Sequence, residues 1–83
     1  MGQNGRAVSE ATKALAQAIR EAQGSADMST AELSRAAGIP YSTLRKIRAG
    51  NQTISYEEMR LIADALGKSV SEMAARAELI EQA

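Results

Sequence analysis

The chain has 83 residues, with ten acidic and ten basic side chains and a formal net charge of zero. So short a chain folds around one small core, burying only about 60% of its unfolded surface. Cysteine and histidine are absent, which excludes disulfides, Cys/His zinc sites and catalysis built on a thiolate or an imidazole.

Residues 1–7 carry two glycines among polar neighbours and are expected to be a flexible tail, with a single domain over residues 8–83. Phe and Trp are also missing, while Ala, Leu, Ile, Glu, Arg and Gln are abundant, so the composition is that of an all-α protein. Gly24, Gly38, Gly50 and Gly67 punctuate the rest, and each segment between them reads as a helix. The first helix is predicted from about Ser9 to Gln23, with Val8, Ala11, Leu15, Ala18, Ile19 and Ala22 as its apolar stripe. The second opens on Ser29-Thr30-Ala31-Glu32, a capping box in which serine and glutamate satisfy each other's backbone amides. Leu33, Ala36 and Ala37 are its predicted inner face, and Gly38 its end. The third is predicted from about Tyr41 to Ala49, with Pro40 setting its start and Leu44 and Ile47 facing the core. After the loop Asn51-Gln52-Thr53-Ile54, a second box, Ser55 to Glu58, opens the fourth helix, whose apolar face is Met59, Ile62, Ala63 and Leu66. A third box, Ser69 to Glu72, opens the last, with Val70, Met73, Ala74, Ala77 and Ile80 in register.

Two short helices joined by a glycine-containing turn of a few residues make a helix-turn-helix, and the stretch from Ser29 to Gly50 has that form. The run from Ala31 to Gly50, AELSRAAGIPYSTLRKIRAG, together with the later Ile62 to Met73, IADALGKSVSEM, resembles the lambda-repressor-like, Cro-type (xenobiotic-response-element) helix-turn-helix family. The resemblance spans roughly residues 8 to 78 and implies a compact five-helix domain whose third helix enters the DNA major groove.

With Leu44 and Ile47 inward, a helical period turns Ser42, Arg45, Lys46 and Ala49 outward and leaves Tyr41 and Thr43 on the flanks. Charge is laid out to match. From Leu33 to Tyr56 there are four cations, Arg35, Arg45, Lys46 and Arg48, and no acid, so a net charge of zero conceals one basic face suited to phosphates. The resemblance assigns base contacts to Tyr41, Ser42 and Lys46, and Arg45 or Lys46 has the donors that guanine O6 and N7 require. Thr30 matches a phosphate contact at the start of the second helix. Arg35, Thr43, Arg48 and the loop Asn51-Gln52-Thr53 complete the expected phosphate set. In the family an acid often follows the third helix's isoleucine and pairs with an arginine late in the first. Here both positions are cationic, Arg48 and Arg20, so Arg48 either turns toward phosphate or pairs with Glu21.

The expected partner is a double-stranded DNA operator bound by a homodimer, with Leu61, Leu79 and Ile80 as dimer-seam candidates. The expected role is that of a phage- or plasmid-type repressor. No enzymatic activity, cofactor or metal is expected, since histidine, cysteine, a phosphate loop and paired acids in an evident pocket are all lacking. No apolar run approaches the ~20 residues of a membrane span and no secretory pattern opens the chain, so no membrane partner is expected and a bacterial cytoplasmic or nucleoid-associated location is. A further domain in a longer parent protein fits a bare module of this kind. The competing reading is a helix-turn-helix interaction module, an antitoxin or adaptor, which calls for a larger exposed apolar patch than Leu61 and Leu79 provide.

Overall fold

Serine starts four of the five helices in the computed structural model, which describes residues 9–83. α1 (Glu10–Ser25) begins where Ser9 Oγ accepts the Thr12 amide. α2 (Thr30–Ala37), α4 (Tyr56–Ala65) and α5 (Val70–Gln82) each open on a complete capping box, formed by Ser29 with Glu32, Ser55 with Glu58 and Ser69 with Glu72. α3 (Tyr41–Arg48) follows Pro40, whose side chain caps nothing; its ring fixes a backbone angle already suited to a helix start. The three boxes and the all-α, five-helix architecture expected from the sequence are therefore present, with no strand among the described residues. None of these helices is long and apolar enough to cross a membrane.

α1 packs along α5 and against α3, while α2 packs on α3 and α4. Ile19, Leu33, Leu44, Ile47 and Ile62 have no exposed surface and so bring α1 to α4 to one point, which Met73 and Ala77 of α5 close from the side. Small side chains on α1 let its neighbours approach: Ala14, Ala16, Ala18 and Ala22 are all buried. The chain leaving α3 passes against this surface at Gly50, where an added Cβ would stand 3.7 Å from Ala16 Cβ and the backbone is left-handed at φ 76°.

The turn between α2 and α3 is held by one residue. Ser34 O accepts the amides of Gly38 and Ile39 at 2.9 and 3.1 Å, and Ser34 Oγ donates to Ile39 O at 2.5 Å. Gly38 takes φ 71° there, a conformation costly for side chains bearing a Cβ. Ile39 is buried in the angle it creates.

Three details differ from the sequence expectation. α1 continues through Gly24 to Ser25, and the left-handed residue that follows it is Asp27 at φ 53°; aspartate tolerates this conformation better than most side chains. Ala11, Ala36 and Ala74 are exposed, Ala11 and Ala74 because they lie in the wall of an open groove between helices and not in the core. Ala14, Ala16 and Gln23 are buried instead, since α1 is flanked on two sides and its covered surface is wider than one stripe. Val8 and the tail 1–7 lie outside the described residues.

Candidate nucleic-acid interface

Burial of Leu44 and Ile47 fixes the rotation of α3. Tyr41, Ser42, Arg45, Lys46 and Ala49 consequently lie exposed, with Tyr41 at 50%, while Thr43 and Arg48 are half-buried. Ser42, Arg45, Lys46, Ala49 and Asn51 line one shallow concavity of about 330 Å³ that has two cations and no acid in its wall. Asn51, in the loop after α3, is held beside it because its amide donates to Lys46 O at 3.1 Å. Gln52 is half-buried and Thr53 exposed in the same loop.

The other predicted phosphate residues occupy different surroundings. Arg35 projects from α2 into a separate concavity lined also by Asp27 and Glu32. The Ser29 backbone amide, bonded to Glu32, holds that carboxyl below its usual range, so Arg35 has an ionised acid close by. Thr30 opens α2, and its Oγ1 accepts from Gln23 Nε2 at 3.2 Å. The capping box uses the amides of Ser29 and Glu32 but not those of Thr30 and Ala31.

Arg48 takes neither of the two expected arrangements in full. Glu21 is engaged by Arg76 of α5, with Nε to Oε1 at 2.7 Å and Nη2 to Oε2 at 3.1 Å, so the Arg48–Glu21 pair does not form. Arg48 Nε instead donates to Gln23 Oε1 at 2.7 Å, and Arg20 donates to the Arg48 carbonyl. The two cations that replace the family's usual ion pair are thus both accommodated, one by a neutral amide and the other by the carbonyl at the end of α3. Neither Gln23 nor Ser34 was singled out in the sequence. Gln23 carried a signal, since it falls four residues after Ile19 and thus on the buried face of α1.

Among the dimer-seam candidates, Leu61 is 40% and Leu79 59% exposed, while Ile80 is half-buried against the core. Leu79 lines a groove of about 460 Å³ with Ala18, Ala22, Met73 and Arg76; Leu61 does not. A second apolar groove of about 450 Å³, lined by Leu15, Ile54, Tyr56, Met59 and Val70 with Glu78 and Glu81, runs between α1, α4 and α5.

The helix-turn-helix family matches residues 17–73 of the chain. Two crystal structures of the clp gene regulator ClgR from Corynebacterium glutamicum are similar to it. One is 22% identical with a TM-score of 0.85, covering 92% of this chain and 81% of that one. The other is 25% identical with a TM-score of 0.78, covering 82% of this chain and 87% of that one. No curated protein matches the chain.

Proposed function

The chain belongs to the lambda-repressor-like, Cro-type helix-turn-helix family, and on that premise we propose that it is a DNA-binding transcriptional regulator, a repressor of the phage or plasmid type that binds its operator as a homodimer. The observation that carries this reading is the acid-free concavity of Ser42, Arg45, Lys46, Ala49 and Asn51 on the exposed face of α3. A recognition helix reads base edges with such outward residues near its start. Tyr41, Ser42, Arg45 and Lys46 are the base-contacting set, and Arg45 and Lys46 supply donors for guanine. Thr30, Thr43, Arg48, Asn51, Gln52 and Thr53 bind phosphates around them, with Arg35 at the margin. Similarity to ClgR, a clp gene regulator, supports the regulatory role. Leu61, Leu79 and Ile80 supply the dimer seam, with Leu79 the most exposed of the three. The role involves no catalysed reaction.

A second reading, a protein-interaction module, draws on the apolar groove beside Tyr56, which is 68% exposed. One experiment decides between them. The protein is incubated with a randomised duplex pool, and bound molecules are recovered and sequenced. A two-fold symmetric motif with half-sites about one helical turn apart is expected. A pool that stays random after repeated selection overturns the regulator reading in favour of the interaction module.

A further inference from the structure

Gln23 is the one polar side chain buried among the described residues, at 5% exposure. A buried amide is costly unless bonded, and both ends of this one are engaged. Its Oε1 accepts from Arg48 Nε at 2.7 Å, and its Nε2 donates to Thr30 Oγ1 at 3.2 Å. The direction of the amide is forced, because a guanidinium has only donors and the oxygen must face Arg48. The amide nitrogen therefore faces Thr30 and uses the hydroxyl oxygen as its acceptor.

This direction fixes what both partners have left to offer. Thr30 receives a hydrogen bond at its oxygen, so its own hydroxyl proton is free for an acceptor outside the domain. Arg48 spends Nε inward and keeps the four N–H groups of its two terminal nitrogens. Arg20, donating to the Arg48 carbonyl, holds the end of α3 in place behind it. One buried amide on α1 thus sets the donors presented at the start of α2 and at the end of α3.

We propose that Gln23 is a positioning residue for DNA binding, aiming the Thr30 hydroxyl proton and the Arg48 terminal nitrogens at phosphate oxygens of the duplex. The assignment rests on the DNA-binding reading above and adds to it a residue that touches no DNA. Its chemistry is specific to an amide. Methionine, of similar length, supports neither bond. Glutamate keeps the bond from Arg48 but must accept from Thr30, which withdraws the hydroxyl proton from the phosphate.

The test uses a duplex taken from the selected pool and binding constants corrected for folded fraction by thermal unfolding. Gln23→Met is expected to weaken binding roughly tenfold, the scale of one or two lost hydrogen bonds involving charge. In a Thr30→Val/Arg48→Met background the same change is expected to cost under about twofold, because residues acting through one another are not additive. Gln23→Glu retains the bond from Arg48, now as an ion pair, and guards against a failure of Gln23→Met to fold. With Glu at position 23, Thr30→Val is expected to cost nothing further, although it weakens the parent. Equal losses from Gln23→Met in both backgrounds, or a full Thr30→Val loss alongside Gln23→Glu, overturn the assignment while leaving DNA binding intact. So does a parent whose affinity is untouched by Thr30→Val and Arg48→Met. A parent that selects no duplex overturns the DNA-binding reading itself, and this assignment with it.

Discussion

Leu44 and Ile47 have no exposed surface, whereas Ser42, Arg45 and Lys46 on the same helix are exposed. Substitutions on the two sides of α3 should therefore fail in different ways. Ile47→Ala removes buried methyl groups and leaves a cavity, and is expected to cost about 2–5 kcal/mol of stability, read by thermal or denaturant unfolding. Its affinity for DNA should fall only with the folded fraction. Lys46→Ala and Ser42→Ala touch no core residue and should leave the unfolding curve in place. They are expected to change which duplexes are selected, because a good bidentate base contact is worth about 1–3 kcal/mol of discrimination. A selected motif unchanged by Lys46→Ala would remove α3 from the groove. The division of α3 into two faces was legible in the sequence because it depends only on helical period. The position of Arg48 was not, because its partner Gln23 lies 25 residues earlier and no local pattern joins them.

The helix starts were the most legible elements, for the same reason of range. A capping box is complete within four residues, and all three that the sequence indicated are formed. α1 runs past the end that the sequence indicates at Gly24, because a glycine can sit inside a helix at modest cost, and the residue that turns the chain is Asp27. Acid sensitivity follows from the boxes. Backbone hydrogen bonds from Ser29 and Ser69 hold Glu32 and Glu72 below the ordinary carboxyl value of 4.5. Glu21 is held low chiefly by its hydrogen bonds from Arg76. A carboxyl whose folded pKa is lowered contributes its stability in full above the unfolded value and loses it as pH falls through the folded one. With no histidine in the chain, the midpoint of thermal unfolding should be nearly flat from about pH 5 to 8 and decline below about 4.5. Glu72→Gln retains a residue able to close the box and should soften that decline. An identical decline in the Glu21→Gln/Glu32→Gln/Glu72→Gln variant would place the acid sensitivity elsewhere. Ser29→Ala, which removes the cap of the eight-residue α2, should cost about 1 kcal/mol at neutral pH.

At the scale of the whole molecule, a net charge of zero is divided between a basic face and an acidic remainder, and the division sets how binding responds to salt. Arg45 and Lys46 line the concavity of α3 without an acid beside them. Arg35 shares its surroundings with Asp27 and Glu32, so its charge is partly offset before DNA arrives. Arg48 is half-buried with its Nε bonded to Gln23, which leaves the N–H groups of its two terminal nitrogens unspent. About three cations per subunit are then available to phosphates. Each phosphate neutralised contributes about −0.9 to the slope of log affinity against log salt, so a dimer should show a slope near −5 and a monomer about −2.7. The slope thus reports the assembly as well as the contact, and sedimentation of the protein–DNA complex checks the stoichiometry independently. Arg48→Gln should flatten the slope by about two units in a dimer, or one in a monomer. The domain should stay folded, because the bond from Arg20 goes to the backbone carbonyl at that position and survives the change. If Arg48 served only to hold Gln23, the same substitution would lower stability and leave the slope as it was. A parent with a flat salt response would show that the basic face meets no phosphates, and the apolar groove beside Tyr56 would then be the surface to pursue.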